Sequence, residues 1–470
     1  MGSGHCNLCP RAIAFPDRDF YDHAMPTKKR RHANSDSPVQ SNAASSAGAT
    51  DASLLRQRSL ELPADDALPK VRLRSVRRHP HLFRKLIGEA DRAARPGDLV
   101  AVENPQGEHF GYGLYNPRAE IAVRMLSLGR SPPGSEFWDE KLLRAVELRR
   151  DLLRLAAAGD ACRIVHAEAD GLSGLVIDRY GDVLSAEVFS LAMFQRSRAL
   201  LERLGRMLGT RHTLVQVPAQ THGQEGFQAE PVRSPGLPDE VVVTEWGSRF
   251  RVRFEEGHKT GFFCDQRENR RRLAELCPGR TVLDLCCYTG GFAIQAKRLG
   301  NAADVTAVDL DEKAIALARD NARLNQQKVS FVHADAFGYM RDMIANGRTF
   351  DVVVLDPPKL IRNRRDLEEG TRAHLDLNRL AIQLVADGGL LLSCSCSGLL
   401  EEAEFLRLLQ AASRQAGKPA RSTGAVPTVP GHSLQILAKT GAAPDHPVAA
   451  DCPETEYLKA IWMRVLRNGC

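Results

Sequence analysis

The sequence predicts an α/β protein in which a small β-rich domain precedes a doubly wound parallel sheet. From residue 281 onward, apolar strand-like segments alternate with amphipathic helical segments, which is the pattern of a parallel sheet covered by helices. Upstream, residues 69–147 carry short strand-like segments separated by glycine and proline turns, which is typical of a small β-barrel. A chain of 470 residues is too long for one hydrophobic core, so we expect several domains.

Four consecutive regions are predicted along the chain. Residues 1–68, rich in Ser, Ala, Asn, Asp and Pro from about residue 24, are expected to form a disordered tail because they bury too little apolar surface. Residues 69–147 form the barrel, and a helical pattern runs from Trp138 to about Leu155. Residues 148–250 alternate short strands with a helix near 191–208, which indicates a central α/β domain. Residues 251–470 hold the parallel sheet, with strands predicted at 282–285, 305–308, 329–333, 352–355 and 390–393.

The net charge of the chain, +6, originates in one region. Residues 69–150 hold sixteen basic and ten acidic side chains, whereas the parts before and after them are each balanced. The start of this region contains no carboxylate and is the densest in cations, with Lys70, Arg72, Arg74, Arg77, Arg78, Arg84 and Lys85. Such a cluster is typical of a phosphate-binding surface, and the alternative is a solvated face without a ligand.

The composition argues against several classes of protein. No stretch approaches about 18 uncharged apolar residues and the N-terminus lacks the apolar block of a secretory signal, so we expect neither a membrane span nor export. The eleven cysteines are irregularly spaced, which argues for a reducing, cytoplasmic compartment. His5, Cys6 and Cys9 are too few for a closed zinc site, and we expect no metal. Residues 28–31 (KKRR) are either a targeting or nucleic-acid patch or part of a solvated tail.

Glycines and acids follow the first three strands of the predicted parallel sheet. The first strand leads into CCYTGGF at 286–292, where paired glycines let the backbone approach a ligand. This pattern is not G-x-G-x-x-G, so a dinucleotide-dependent dehydrogenase is disfavoured. Asp309 ends the second strand, and Asp335 follows the third. Each acid alone suits a helix cap or a turn, but together at successive strand ends they indicate a nucleoside cofactor.

The fourth and fifth strands end in residues with candidate chemistry. The fourth ends in DPPK at 356–359, where two prolines remove two backbone donors and leave nearby carbonyls free for a ligand. The fifth ends in SCSCSG at 393–398, and a helix is predicted to open at Leu399. Cys396 is therefore expected at a helix N-terminus, which favours the reactive thiolate, while core packing is the alternative for any cysteine. Cys394 points the same way by strand alternation and is assigned to packing or support.

These residues resemble the bacterial large-subunit (23S) ribosomal RNA cytosine-5 methyltransferases that carry an N-terminal PUA domain. The resemblance rests on DLCCYTGGF at 284–292, DPPK at 356–359, SCSG at 395–398 and HKTGFFCDQRENR at 258–270. It extends over about residues 70–470 through HPHLF at 79–83, AEADGLSGL at 167–175, DHPV at 445–448 and YLK at 457–459. The first 68 residues have no counterpart, and the family usually has Phe in place of Cys286 and Pro in place of Ser173.

The resemblance implies a fold, a cofactor, a partner and residue roles. The fold is a Rossmann-like class I methyltransferase domain with an antiparallel last strand, preceded by a PUA RNA-binding domain and a central α/β domain. S-adenosylmethionine is the implied cofactor and ribosomal RNA or a large-subunit precursor the implied partner, while a monomer and a homodimer both stay open. The predicted cofactor-binding residues are Asp284, Cys286, Tyr288, Thr289, Gly290, Gly291, Phe292, Asp309, Asp335, Ala336, Phe337, Asp356 and Pro357. The predicted RNA-binding residues are Lys70, Arg72, Arg74, Arg77, Arg78 and Arg84.

Carbon 5 of cytosine is a poor nucleophile, so its methylation needs covalent assistance. We expect the Cys396 thiolate to add to carbon 6 of the base, with Asp356 on the base edge and Lys359 assisting electrostatically. Two alternatives stay open: a related DPP-type enzyme that methylates a guanine nitrogen without a cysteine nucleophile, and a non-enzymatic RNA-binding assembly factor with a vestigial cofactor pocket.

Overall fold

The computed structural model describes residues 52–62, 68–254, 262–416 and 431–467. Cys6, Cys9, the KKRR segment at 28–31 and most of the predicted tail lie outside this part of the chain. Residues 258–261 of the HKTGFFCDQRENR segment lie outside it as well.

The first sheet has six strands and contains the predicted basic region. Its strands are β1 (Lys70–Leu73), β2 (His81–Phe83), β3 (Ile87–Ala90), β4 (Leu99–Glu103), β5 (His109–Tyr115) and β6 (Ile121–Ser127). They pair in the order β2-β6-β5-β4-β1-β3, antiparallel except for β1 with β4. Burial alternates along β1, with Val71 and Leu73 in the core and Lys70 and Arg72 outside, as the two-residue period of a strand requires.

The central domain is a five-stranded sheet with helices. It comprises α1 (Ser135–Glu147), β7 (Ala161–His166), β8 (Leu175–Tyr180), β9 (Val183–Val188), α2 (Leu191–Leu208), β10 (His212–Gln216), α3 (Ala219–Glu225) and β11 (Val232–Arg233). The strand order is β11-β10-β9-β8-β7. The helix predicted near 191–208 is confirmed as α2, which Ser190 caps by accepting a hydrogen bond from the Met193 amide (3.2 Å) and which Gly209 ends in a left-handed conformation.

The first helix belongs to the central domain rather than to the barrel region. Trp138 and Leu142 of α1 pack into the hydrophobic core of the central domain, although both lie inside the region 69–147 that the sequence assigns to the barrel. The α-helix ends at Glu147 and continues as one wider helical turn over Leu148–Leu152, so the helical pattern predicted to about Leu155 ends three residues early.

Residues 52–62, which we call the N-terminal strap, are part of the fold. Leu60 is 3% exposed in the central core, and Leu54 and Leu55 pack against the same core. The Gln195 side chain donates a hydrogen bond to the Leu54 carbonyl (2.7 Å), which fixes the strap on α2. The prediction of a tail up to residue 68 is wrong for this segment, because a few leucines among polar residues show no periodicity that marks them as buried.

The parallel-sheet domain follows a separate hairpin of β12 (Glu240–Glu245) and β13 (Ser248–Arg253). Its strands are β14 (Thr281–Leu285), β15 (Asp304–Asp309), β16 (Ser330–His333), β17 (Phe350–Leu355), β18 (Val385–Ser395), β19 (Ser433–Thr440) and β20 (Lys459–Leu466). Its helices are α4 (Arg267–Glu275), α5 (Gly291–Arg298), α6 (Glu312–Leu324), α7 (Ala336–Ala345), α8 (Leu367–Leu384) and α9 (Glu402–Gln415).

The order of these strands places a ligand crevice at the carboxyl ends of the central parallel strands. The order is β16-β15-β14-β17-β18-β20-β19, with β14 to β18 parallel and β20 antiparallel to both of its neighbours. All five predicted parallel strands and the antiparallel last strand are confirmed. The chain direction across the sheet reverses between β14 and β17, and ligands of such sheets bind at the carboxyl ends of the strands at this reversal.

Each face of this sheet has its own hydrophobic core. Leu283, Val353 and Leu391 face one core, and their neighbours in sequence, such as Val282 and Val354, face the other. In the described ranges, no helix combines the length and the apolar character that crossing a membrane requires.

Candidate active site

The loop between β14 and α5 is wound tightly by three left-handed residues. Cys286, Tyr288 and Gly290 have φ angles of 60°, 49° and 82°, a region that residues other than glycine rarely adopt. Two hydrogen bonds to β15 hold this loop: the Cys287 amide donates to the Val308 carbonyl (3.0 Å), and the Tyr288 amide donates to the side-chain Oδ2 of Asp309 (2.8 Å). Backbone strain kept in place in this way is typical of ligand-binding loops.

A Cβ at either of the paired glycines of this loop would be in tight contact with protein side chains. A Cβ at Gly290 would lie 3.2 Å from Phe331 and 3.3 Å from Ile294. A Cβ at Gly291 would lie 3.0 Å from Cδ of Arg270. Position 290 favours glycine because its φ is positive as well, whereas a Cβ at Gly291 would require the Arg270 side chain to shift by a few tenths of an ångström.

Asp284, inside β14, carries a buried carboxyl group with an oxygen that nothing nearby satisfies. The residue is 1% exposed, and its Oδ2 accepts a hydrogen bond from the Ala293 amide (3.0 Å). Its Oδ1 has no partner among the described residues, although buried polar atoms are normally paired. Burial raises the pKa of Asp284 well above its usual range. Asp284 can therefore take one polar group of a ligand.

Asp309 at the end of β15 and Asp335 after β16 also accept hydrogen bonds that stabilise the local backbone. The carboxylate of Asp309 accepts from the amides of Tyr288 (2.8 Å) and Asp311 (2.9 Å). Asp335 caps α7 through the Gly338 amide (2.8 Å) and remains exposed. The cap and turn interpretations of the two acids are thus confirmed, and the same bonds fix both carboxylates at the edge of the crevice.

The pKa of the Cys286 thiol is affected by the acids at the carboxyl ends of several strands. Burial first, and then the charges of Asp309, Asp356, Asp284 and Asp335, raise the pKa of its thiol. The charges of Asp284 in β14, Asp309 at the end of β15, Asp335 after β16 and Asp356 after β17 therefore all act on one half-buried side chain. Cys286 stays a neutral thiol in this setting.

The other predicted cofactor residues differ in accessibility. Thr289 and Phe292 are 3% and 6% exposed, and the Thr289 carbonyl accepts a hydrogen bond from the Asn321 side chain (3.1 Å). Pro357 is buried as well, whereas Ala336 and Phe337 are half-buried at the start of α7. The last two are therefore accessible for direct contact with a ligand, and the first three shape the loops around it.

Asp356, after β17, is oriented by Gln266, for which the sequence patterns predict no role. Gln266 is 3% exposed, and its Nε2 donates to Asp356 Oδ2 (3.0 Å). Asn269 Nδ2 donates to Gln266 Oε1 (2.6 Å), which fixes the amide orientation. Gln266 lies in the segment 258–270 of the family resemblance, and that membership is the only sequence signal that points to it.

Strand β18 presents cysteines on one face and serines on the other. Cys394 is 0% exposed and packs with Val282 and Val354, and half-buried Cys396 packs against the same cluster, which also contains Cys287 and Phe292. On the opposite face, Ser393 and Ser395 contact α8 through Asn378 (2.6 Å) and His374 (3.2 Å). Burial first, and then the charge of Asp356, raise the pKa of Cys394, so it remains a thiol as expected for a packing residue.

The surroundings of Cys396 differ from the prediction in one respect. Helix α9 begins at Glu402 rather than at Leu399, so a loop separates Cys396 from the helix. Because the field of a helix terminus acts within its first turn, the expected helix N-terminus at Cys396 is wrong. Instead, the carbonyl of Ser397 accepts a hydrogen bond from the buried Nζ of Lys459 (2.6 Å), the first residue of β20.

Lys359, the predicted catalytic cation, is an exposed residue after the two prolines. Its positive charge contributes to lowering the pKa of Lys459. Lys359 is exposed to solvent, whereas Lys459 is buried.

The predicted RNA-binding cations fall into two groups. Lys70 and Arg72 lie 2.9 and 3.2 Å from Glu103, which strand pairing brings beside them. The guanidinium of Arg84 donates to the Ala119 carbonyl (3.0 Å). Of the six predicted RNA-binding cations, Arg74, Arg77 and Arg78 are exposed and have no side-chain ion pair or hydrogen bond with the described residues. These three are the predicted RNA-binding cations that are open to an anion.

Three side chains with metal-ligating atoms lie together where the barrel meets the C-terminal segment. The ligand atoms of His79, Cys452 and Glu454 lie within 4.8 Å of one another. The His81 amide donates to Nδ1 of His79 (3.0 Å), so in the neutral ring Nε2 carries the proton and faces Glu454 Oε2 at 3.4 Å. A proton-bearing nitrogen does not ligate a metal, and the cluster is a hydrogen-bonded contact in this arrangement.

Comparison with known proteins agrees with this geometry. Residues 195–418 match the family of S-adenosylmethionine-dependent methyltransferases, and residues 69–128 match the family of PUA-like domains. The ribosomal RNA large subunit methyltransferase I of Pseudoalteromonas atlantica is 32% identical over 397 residues, which cover 83% of this chain and 96% of that protein. The protein of the same name from Escherichia coli (strain K12) is 31% identical over 396 residues, with 83% and 96% covered. The chain belongs to this family.

Solved structures show the same fold. A methyltransferase complexed with SAH has a TM-score of 0.66 and 18% identity, and the match covers 79% of this chain and 93% of that one. An S-adenosylmethionine-dependent methyltransferase from Streptococcus mutans has a TM-score of 0.65 and 18% identity, with 79% and 92% covered. The predicted fold class, a class I methyltransferase domain preceded by a PUA-like domain, is confirmed.

S-adenosylmethionine, the cofactor of the methyltransferase family, is therefore the cofactor of this ribosomal RNA large subunit methyltransferase I family member. The crevice suits it, because Asp284 Oδ1 is a buried oxygen without a hydrogen-bond partner among the described residues, and the tightly wound loop that follows β14 lies at the carboxyl end of the parallel strands.

Proposed function

We propose that this protein methylates carbon 5 of a cytosine in large-subunit ribosomal RNA, with Cys396 as the covalent nucleophile. The observation that carries the proposal is the position of Cys396, directly after β18 and packed on the same cluster as Cys287 and Phe292 of the loop at 286–292. The relatives' name identifies their substrate as large-subunit ribosomal RNA, and the PUA-like region supports RNA binding.

The proposed reaction gives a role to Cys396, Asp356 and Lys359 at the carboxyl ends of the strands. S-adenosylmethionine supplies a methyl group on a sulfonium centre. The Cys396 thiolate adds to carbon 6 of the cytosine, which makes carbon 5 nucleophilic. Carbon 5 then bonds to the methyl group as the methyl–sulfur bond breaks, and the sulfur keeps that electron pair as a neutral thioether. The proton on carbon 5 leaves to a base, and the electron pair of its bond restores the ring and expels the thiolate. Asp356, held by Gln266, binds the base edge, and Lys359 contributes positive charge from the solvent side.

Trapping on modified RNA tests this proposal directly. RNA transcribed with 5-fluorocytosine cannot lose a proton from carbon 5, so the covalent intermediate accumulates. We expect wild-type protein to form a stable complex with this RNA only in the presence of S-adenosylmethionine, as detected by denaturing gel and mass spectrometry. Cys396→Ala abolishes both the complex and 5-methylcytosine formation, because it removes the nucleophile.

Cys394→Ala is the matched control, since Cys394 lies two residues earlier on the same strand face and is fully buried. This variant retains the covalent complex and loses about 1 kcal/mol of stability. Synthesis of 5-methylcytosine by Cys396→Ala would contradict the proposal. Methylation of a guanine nitrogen by the wild type, without trapping on 5-fluorocytosine, would establish the alternative instead.

A further inference from the structure

Lys459 is a buried lysine beside the end of the strand that carries the proposed nucleophile. It opens β20 and is the register partner of Ser395 in β18. The residue is 5% exposed, and its Nζ donates to the carbonyl of Ser397 (2.6 Å), the residue after Cys396. A lysine is rarely buried without an anionic partner, because an ammonium group loses its hydration on burial.

The charges around Lys459 indicate which group serves as that partner. Burial lowers the pKa of Lys459, and the thiolate of Cys396 is the strongest of the charges that act in the opposite direction. Glu456 is exposed and screened by water, and Glu402 already pairs with Lys439 (2.7 Å). The titratable groups that act on Lys459 or feel its charge are Cys396, Glu456, Lys359, Glu402 and His374.

His374 and Lys359 do not compete for the role of partner. The pKa of His374 is lowered to about 4, first by burial and then by Lys459, so this ring is neutral at physiological pH. Lys359 has the same charge as Lys459 and is exposed. Among the groups that act on Lys459, half-buried Cys396 is therefore the one that carries a negative charge in the proposed reaction, and it lies in the chain between Ser395 and Ser397, the two residues that Lys459 meets.

We propose that Lys459 is a positioning residue whose ammonium group stabilises the thiolate of Cys396 and, through the Ser397 carbonyl, holds the loop that carries it. This inference rests on the proposed function, in which Cys396 is the nucleophile. It also supplies the positive charge that a helix N-terminus does not, since α9 begins six residues after Cys396.

The charge of Cys396 changes twice in the proposed reaction. The thiolate becomes neutral when its sulfur bonds to carbon 6, and it recovers the electron pair when that bond breaks. An adjacent ammonium group keeps the thiolate populated before the first step and favours its release in the second. Lys459 keeps its protons throughout, so it acts only by charge and position.

The reactivity of Cys396 in the full-length protein, without RNA or cofactor, tests this inference. Alkylation by iodoacetamide is followed from about pH 6 to about pH 9, where thiols titrate, and peptide fragmentation separates Cys396 from Cys394. Lys459→Gln keeps a donor for the Ser397 carbonyl but removes the charge. We expect alkylation of Cys396 near neutral pH to slow about tenfold and its pH midpoint to rise by about one unit. In methylation assays the same variant lowers kcat, which recovers at higher pH, and leaves KM for S-adenosylmethionine unchanged.

Two further variants separate charge from shape. Lys459→Arg keeps the charge and retains most of the wild-type alkylation rate. Lys439→Gln, an exposed lysine on the neighbouring strand β19, is the matched control and leaves the rate unchanged. Wild-type alkylation in Lys459→Gln overturns the inference but leaves the proposed function intact, because trapping of the wild type on 5-fluorocytosine RNA tests that function separately. If Lys459→Gln does not fold, the wild type decides: a pH midpoint for Cys396 at or above that of an ordinary thiol, about 8.5, overturns the inference.

Discussion

His374 shows how a single titratable side chain is kept neutral beneath the cysteine-bearing strand. It is 1% exposed, and its Nε2 lies 3.2 Å from Ser395 Oγ. Burial first, and the charge of Lys459 second, lower its pKa to about 4. A histidine in the unfolded chain has a pKa of about 6.5, so the unfolded chain takes up a proton that the folded protein excludes.

Mild acid is therefore expected to destabilise the protein through His374. The contribution of this residue is complete above about pH 6.5 and is lost as the pH falls toward about 4, where the folded group protonates. We predict that the wild type loses about 2–3 kcal/mol more unfolding free energy over this interval than His374→Gln, which keeps a polar partner for Ser395. Urea denaturation at a series of pH values measures the difference. Parallel pH dependences of the two proteins would contradict this prediction.

Single residues differ in how far the sequence reveals their roles. Strand alternation alone places Cys394 and Cys396 on one face, because successive side chains of a strand point in opposite directions. The roles of Gln266 and Lys459 cannot be predicted in this way. Their partners, Asp356 and Ser397, lie 90 and 62 residues away in the chain. Only the pairing of β18 with β20 and the packing of the segment before α4 bring these atoms together.

At the scale of elements, one buried carboxylate joins three parts of the chain. Arg267, which opens α4, donates from both ends of its guanidinium group to Asp445, at 3.0 and 2.9 Å, and the two side chains are 1% and 0% exposed. The Arg163 amide of β7 donates to the same carboxylate (2.9 Å), and the Arg149 guanidinium donates to the Asp445 carbonyl (2.8 Å). The central domain and the parallel-sheet domain are therefore held at a shared ion pair.

Removing one partner of this ion pair is expected to cost far more than removing a surface arginine. Arg267→Met leaves the Asp445 carboxylate buried without its counter-charge, and we predict a loss of about 3–5 kcal/mol in unfolding free energy. Arg323→Met is the matched control, because Arg323 is a 76% exposed side chain on α6, and its loss stays within about 0.5 kcal/mol. Chemical denaturation measures both. A loss below about 1 kcal/mol for Arg267→Met would show that the junction is not held in this way.

Strands are predicted from this sequence better than helix ends are. Each of the five predicted parallel strands overlaps an observed one, because buried parallel strands are continuous apolar segments. The start of α9 is mispredicted because Leu399, Leu400 and Glu401 look like a helical turn, whereas Leu400 is 2% exposed and Glu401 is extended with ψ of 152°. Burial of a side chain by distant residues decides such ends, and local sequence carries no sign of it.

At the scale of the whole molecule, positive charge is concentrated on the six-stranded sheet, but pairing neutralises part of it. Glu103 of β4 lies beside Lys70 and Arg72 of β1, because these strands are neighbours in the sheet. The charge count along the chain located the basic region, and only the strand order identifies the cations that remain unpaired. A linear sequence cannot show that a carboxylate about thirty residues away faces the cluster.

The three open arginines are expected to set the salt dependence of RNA binding. Replacing Arg74, Arg77 and Arg78 by Gln together should lower the slope of log K against log salt concentration by about 2–3, since each cation on a phosphate releases somewhat less than one counterion. Filter binding of a ribosomal RNA fragment at several salt concentrations measures the slope. Arg144→Gln with Arg198→Gln, on exposed and ion-paired arginines of α1 and α2, is the matched control. An unchanged slope in the triple variant would place the RNA elsewhere.

The order of regions along the chain follows from sequence patterns, and the exceptions have a common cause. The β-rich region, the central domain and the parallel sheet lie where the patterns indicate, whereas α1 and the N-terminal strap join the central core unexpectedly. Leu60 of the strap and Trp138 of α1 lie in the same core as Leu200 of α2, which is 140 and 62 positions away in the chain. Patterns of local periodicity predict elements, but the domain to which an element attaches is a property of packing.

The insertion of β20 between β18 and β19 has a consequence for biosynthesis. During translation, β20 is made after all the other strands described. Until then, one side of β18 has no partner strand, and the Ser-Cys-Ser-Cys segment at its end lies at an open sheet edge. Open edges recruit foreign strands. The newly made chain is thus most vulnerable to misassembly and thiol oxidation in the interval before this final strand emerges from the exit tunnel.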